Sequence, residues 1–143
     1  MRYMGLDYGN TTVGVAASDA LGLMVMPVET ITREKPAKLR RTCARIEELV
    51  KELGIDAIVV GNPLNMDGSA GERSRLASEF AQTVGRRTGL PVHMSDERLT
   101  TVEADGILSE TNVPKSERKR YIDQMAAVLI LEGWMREKGL LSS

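Results

Sequence analysis

The spacing of hydrophobic residues changes about a quarter of the way along the chain, and that change limits the fold more than any other feature. Arg2–Asp7 is short and mostly apolar, Thr12–Ser18 alternates with Val13 and Val15 on one face, and Leu23–Ile31 is β-branched and methionine-rich. Gly9-Asn10 and Asp19–Gly22 supply turn chemistry between them, so three strands in an antiparallel meander are expected. Helical spacing then takes over. Leu39, Cys43, Ile46, Val50 and Leu53 recur at intervals of four and three, a core-facing stripe on a helix stopped by Gly54. Ile55–Gly61 reads as a buried strand and Asn62–Gly71 as a loop. Gly71–Arg87 reads as a helix with Leu76, Phe80 and Val84 inward, stopped by Gly89-Leu90-Pro91. Pro91–Ser95 is a further short strand. Thr100-x-x-Glu103 is a capping-box pattern opening a helix through Leu108, and a last helix runs from Glu117 to Lys138, ending at Gly139.

The order β-β-β-α-β-α-β-α-α implies an α/β fold: a mixed five-stranded sheet, part meander and part parallel, with helices on its faces. At 143 residues there is room for a single domain spanning 1–143. No run of eighteen uncharged apolar residues occurs, which argues against a membrane span, and Asp7 interrupts any signal-peptide core at the start. One cysteine cannot form an internal disulfide, and one cysteine with one histidine excludes a Cys/His zinc site. Any Cys–His or Ser–His chemistry would rest on His93, which sits inside a short strand and reads as a packed or surface residue. Cys43 belongs to the apolar helical stripe and reads as core. The expectation is a soluble, cytoplasmic domain rich in carboxylates and glycine.

In sheets of this kind, sites gather at the carboxyl ends of the strands, so the acids found there carry the most weight. Asp7 ends the first strand within Gly5-Leu6-Asp7-Tyr8-Gly9, where it serves either as a turn residue or, beside two glycines, as a ligand to a metal or phosphate. Asp96-Glu97 follows the fifth strand, in a solvated loop or facing a site. Asp123 starts a nearly apolar stretch, Gln124–Leu131, with Ala126 and Ala127 beside it at i+3 and i+4, small enough for close approach to the sheet. A buried carboxylate there needs a partner, either Arg120 at i−3 or a metal shared with Asp7 and Glu97. Three such acids fit a divalent-metal site of oxygen ligands, suited to Mg²⁺; paired metals activate a water and stabilise the leaving oxygen of a phosphodiester.

A net charge of −1 is mild evidence against a nucleic-acid partner, but the basic residues are clustered. Six of the nineteen lie between Arg33 and Arg45, and four between Lys115 and Arg120. Lys115–Arg120 is a solvated helix start or a set of phosphate contacts; if it is only the former, backbone contacts fall to Arg33–Arg45. Aromatics are only 3% of the chain, too few for rows of stacked bases. The loop Gly61–Gly68, rich in Gly, Asn and Asp and placed directly after a buried strand, is either a plain connection or a substrate-facing segment.

Assembled, these segments resemble the YqgF/RuvX family of ribonuclease H-like proteins, described as Holliday-junction resolvases and as nucleases processing pre-16S ribosomal RNA. The resemblance runs from Arg2 to Trp134 through GLDYG and GVAASD (Gly5–Gly9, Gly14–Asp19), VVGNPLNMDGS (Val59–Ser69), DERLTT-x-EA (Asp96–Ala104) and D-x-x-AAVLIL (Asp123–Leu131). It implies a ribonuclease H-like fold and a two-metal endonuclease using Mg²⁺ or Mn²⁺. Asp7 would bridge the metals, with Glu97 and Asp123 each holding one side. Substrate contacts are expected from Arg98, Lys115, Arg118, Lys119, Arg120, Asn62 and Asn65, the partner being precursor ribosomal RNA or branched DNA, with no membrane role. A four-way junction would favour a two-fold dimer. One departure stands out: members usually carry a basic residue within the turn-to-strand segment after GLDYG, where this chain has Asn10-Thr11-Thr12. DYGNTTVGVA also resembles the first phosphate loop of actin-like ATPases and sugar kinases, in which two such domains clamp a nucleotide. A single-domain nucleotide-binding protein and a non-catalytic ribosome-assembly module are therefore the alternatives.

Overall fold

A computed structural model describes residues 1–64, 67–96 and 115–141, with residues 115–120 described in their backbone alone. The helix expected over Thr100–Leu108 lies outside the described residues. The meander forms as expected: β1 (Tyr3–Tyr8), β2 (Thr12–Ser18) and β3 (Val25–Thr32) pair antiparallel. Then follow α1 (Arg40–Leu53), β4 (Ala57–Asn62), α2 (Glu72–Thr88), β5 (Val92–Asp96) and α3 (Lys115–Glu137). The five strands form one sheet in the order β3-β2-β1-β4-β5, in which β4 runs parallel to both β1 and β5.

Two strands start two residues later than the hydrophobic pattern suggests, because the turn chemistry consumes the intervening backbone. Leu23 N–H donates to Asp19 Oδ1 (2.8 Å) and Asp19 N–H to Met24 O (3.2 Å), so β3 begins at Val25, not Leu23. Gly54, at φ 65°, ends α1, and Ile55 N–H returns to Val50 O, so β4 begins at Ala57, not Ile55.

The sheet is covered on both faces. Met4, Leu6, Val13 and Val15 point to one side and pack against Cys43, Ile46 and Leu49 of α1 and Phe80, Ala81 and Val84 of α2. Tyr3, Ala57 and Val59 point to the other and pack against Ile130, Leu131, Trp134 and Met135 of α3. Two helical stripes are corrected here. In α1, Leu49 is fully part of the core, whereas Leu39, Val50 and Leu53 pack only at its margin. In α2, Leu76 is 39% exposed and Ala77 is buried in its place. Ser74, Ala77, Phe80, Ala81 and Val84 form the buried stripe of α2, which centres that stripe away from Leu76 and leaves the leucine at its edge.

Candidate functional site

β1, β3, β4 and β5 all run in one direction, so their carboxyl ends lie along a single edge of the sheet. Along β1, Met4, Leu6 and Tyr8 alternate with Tyr3, Gly5 and Asp7, which places Asp7 on the α3 face. Its residue is 8% exposed, a carboxylate held at the margin of the core.

The approach of α3 to this point depends on two glycines. Gly14 pairs with Asp7 across β1 and β2. A Cβ on Gly14 would lie 1.8 Å from the Asp123 carbonyl oxygen, so the helix backbone rests directly on the strand. One turn on, a Cβ on Gly5 would lie 2.8 Å from Ala127 O. Ala126 and Ala127 are both fully buried, as their small size at i+3 and i+4 from Asp123 leads one to expect. Asp123 therefore stands on the residue opposite Asp7, with its Oδ2 shut off from solvent. Gln124 Nε2 donates to Thr30 Oγ1 (3.2 Å), tying the same turn of α3 to β3.

The remaining predicted residues divide into two groups. Asn62 ends β4, opposite Asp96 of β5, and its Oδ1 accepts a hydrogen bond from Ser74 Oγ (2.5 Å), tying β4 to the start of α2. The basic run Lys115–Arg120 is helical and forms the part of α3 that precedes its contact with Gly14. The side chains of Lys115, Arg118, Lys119 and Arg120 lie outside the described residues, as do Glu97, Arg98 and Asn65. Among the described residues no group of three or more His, Cys, Asp or Glu is arranged to hold a metal ion. Asp7 and Asp123 are hard oxygen donors of the kind Mg²⁺ and Mn²⁺ take, and the third expected ligand follows directly on the last residue of β5.

The turn after Asp7 carries a basic residue that sequence reading missed. Arg33, one residue beyond β3, donates through Nη2 to Gly9 O and Asn10 O (both 2.6 Å) and through Nε to Pro36 O (3.1 Å). Its guanidinium lies over the Tyr8 ring at 4.9 Å, and the other side of that ring stacks on Phe80 at 4.3 Å. A guanidinium from the residue after β3 is thus held against the backbone of Gly9 and Asn10. The available signal was a cation immediately after a strand whose direction matches β1.

His93 lies on β5 at the opposite side from α2, exposed and stacked on Trp134 (centroids 4.8 Å apart), and so has a packing role. Cys43 is 2% exposed, and burial pushes its thiol above the ordinary value. No helix among the described residues is long and apolar enough to cross a membrane.

An antiparallel meander extended by parallel strands, layered between helices and carrying acids at its carboxyl edge, is a ribonuclease H-like fold. The chain superposes on RuvC of Thermus thermophilus, solved in complex with a Holliday junction substrate, with a TM-score of 0.58 at 19% identity over 98% of this chain and 97% of that one. It belongs to the RuvX family, described as Holliday junction resolvase, whose sequence pattern matches residues 1–137. A protein of Lachnospira eligens named "Putative pre-16S rRNA nuclease" is 56% identical over 138 residues, 96% of this chain and 99% of its own length. One of the same name from Agathobacter rectalis is 48% identical over 135 residues, 94% of each chain.

Proposed function

We propose that the chain is a metal-dependent endonuclease that hydrolyses nucleic-acid phosphodiesters, acting in 5′-end processing of pre-16S ribosomal RNA, with cleavage of branched DNA as a second activity of the same site. The observation that carries this reading is the seating of Asp123 on Gly14, opposite the buried carboxylate of Asp7. Membership of the RuvX family and relatives named as nucleases support it along nearly the whole chain.

Asp7, Glu97 and Asp123 would hold Mg²⁺ or Mn²⁺. When bound, the ions would neutralise charge on the scissile phosphate and lower the cost of generating hydroxide from water. The chain's own residues bind and orient. Asp7 is held on a central strand, paired with Gly14 of β2 and directly following the last residue of β1 that pairs with β4. The α3 backbone, pressed against two glycines, fixes the height of Asp123 above the sheet. Arg98 and the run Lys115–Arg120 would hold the phosphate backbone beside the acids, countering the repulsion that clustered carboxylates exert on a polyanion.

The test is a side-by-side cleavage assay on a ribosomal RNA precursor and a synthetic four-way junction, with Mg²⁺, with Mn²⁺ and with chelator, using the parent and Asp7→Asn. Cleavage of the precursor that needs metal and vanishes in Asp7→Asn is expected. The variant should stay folded and be slightly more stable in chelator, because one of three mutually repelling charges is gone. Cleavage by the Asn variant at the parental rate, or activity undiminished in chelator, would overturn the assignment.

A further inference from the structure

A groove of about 760 Å³ opens between the end of β3 and the start of α1, lined by Arg33, Lys38, Arg40 and Arg41 among others. The segment Arg33–Arg41 holds five cations, Lys35 included, against one acid, Glu34, in a chain whose net charge is −1. Elsewhere among the described residues four arginines, Arg45, Arg75, Arg87 and Arg136, are matched to carboxylates, while Arg2, Arg73 and Arg86 are not. Arg45 pairs with Glu29, Glu48 and Glu52, Arg75 with Glu72 and Glu79, and Arg87 with Glu47. In the groove, among the described residues, only Lys38 has such a partner, an exposed contact with Glu34 at 3.6 Å. Among the described residues no carboxylate lies within ion-pairing distance of Arg33, Arg40 or Arg41.

Arg33 sharpens the argument. The three hydrogen bonds its side chain makes to described residues go to neutral backbone carbonyls, which fix the guanidinium without cancelling its charge. Its Nη1 is shut off from solvent and has no hydrogen-bond partner among the described residues. The Tyr8 ring and the carbonyl dipoles face this half-buried cation, but no full opposite charge does so among the described residues, and an anion in the groove supplies one. The first turn of α1 makes the same choice: it has no acid and no side-chain cap, and carries Arg40 and Arg41 at the positive end of the helix dipole. A chain selected for stability alone would place acids there.

We propose that this groove is a second phosphate-backbone site, which takes the nucleic-acid strand passing over the β1–β2 turn on its way to Asp7. It lies at the same sheet edge as Asp7, since Thr32 pairs with Thr12 and Tyr8 with Val13. The occupant is a phosphodiester backbone read by charge. This site rests on the nuclease reading above for its biological purpose, and its binding is measured separately.

The experiment uses Asp7→Asn with Ca²⁺ so that cleavage does not blur titrations, and compares a synthetic four-way DNA junction with an RNA duplex across a salt series. Lys38→Ala, Arg40→Ala and Arg41→Ala are combined. Lys51→Ala, in the last turn of α1 at the far end of the helix, is the single-charge control, compared per charge removed. The triple variant should bind both probes more weakly and flatten the slope of log affinity against log salt by about 2, each contact contributing about 0.7–0.9. Lys51→Ala should leave the slope unchanged. A further variant, Arg40→Glu with Arg41→Glu, should melt no lower than the parent while losing affinity. An unchanged slope in the triple variant overturns the groove, as does a loss per charge in Lys51→Ala equal to that of the groove residues. Absence of metal-dependent cleavage in the parent would count against the nuclease reading alone, because the binding comparison stands without it.

Discussion

Gly14 sets the distance between the two described acids, and its role is steric: no side chain fits between β2 and the α3 backbone. Gly14→Ala must lift α3 off the sheet or distort β2. Overpacking of this kind costs roughly 1–3 kcal/mol, and contact with a backbone oxygen at 1.8 Å places this case at or above the upper end. The expected result is a urea midpoint well below the parent and, in the folded fraction, cleavage reduced through displacement of Asp123. A variant as stable and as active as the parent would show that α3 does not seat here. Cys43 allows a prediction of different character. Burial raises its thiol above 9.0, so folding favours the neutral form. That contribution is complete below pH 9 and is lost as pH rises through 9 and beyond, where the unfolded thiol ionises and the folded one resists. The stability difference between parent and Cys43→Ala should be constant from pH 6 to 8 and narrow above pH 9, measured by urea unfolding at each pH. A constant difference up to pH 10.5 would mean the buried thiol ionises as readily as an exposed one.

Among the elements, α3 links fold to site, because it packs its apolar face on β1, β2 and β4 and carries Asp123 on the turn nearest Asp7. If Asp123 is a metal ligand, Asp123→Ala should abolish the rise in melting temperature that Mg²⁺ gives the parent, while Arg120→Ala, three residues earlier in the helix, keeps it. At ten times Kd the metal-linked stabilisation is about 1.4 kcal/mol, a shift of several degrees for a domain of this size. Equal loss in both variants would identify an Asp123–Arg120 ion pair instead. The order and type of the described elements were legible because each apolar period is strong and each is closed by glycine or turn chemistry, as at Gly54 and Gly89. Positions decided between elements were not. Leu76 matches a helical stripe as well as Ala77 does, and only the packed sheet selects between them. The acids could be picked out because each lies at or after a strand end or before an apolar helical run. Arg33 was missed because its partners are backbone carbonyls of residues 9, 10 and 36, which no side-chain pattern records.

At the scale of the whole molecule, the distribution of charge matters more than its near-zero sum. The start of α3 and the groove beside α1 belong to opposite faces of the sheet, yet both lie towards the edge where Asp7 sits. A duplex that reaches Asp7 from that edge would meet both, one on either side of the acids. Two independent sets of phosphate contacts add in the salt slope, whereas two alternative sets do not. Changing Lys115, Arg118 and Lys119 together to Ala should weaken binding to all sequences and flatten the slope by about 2. Combined with the triple change in the groove, the reduction should approach about 4, in the Asp7→Asn background with Ca²⁺. A combined reduction no larger than either alone would mean that one track carries the strand and the other is ordinary solvated surface. An unchanged slope in the α3 variant would leave the groove as the sole track, moving the approach of the substrate to the side of the sheet that α1 and α2 cover.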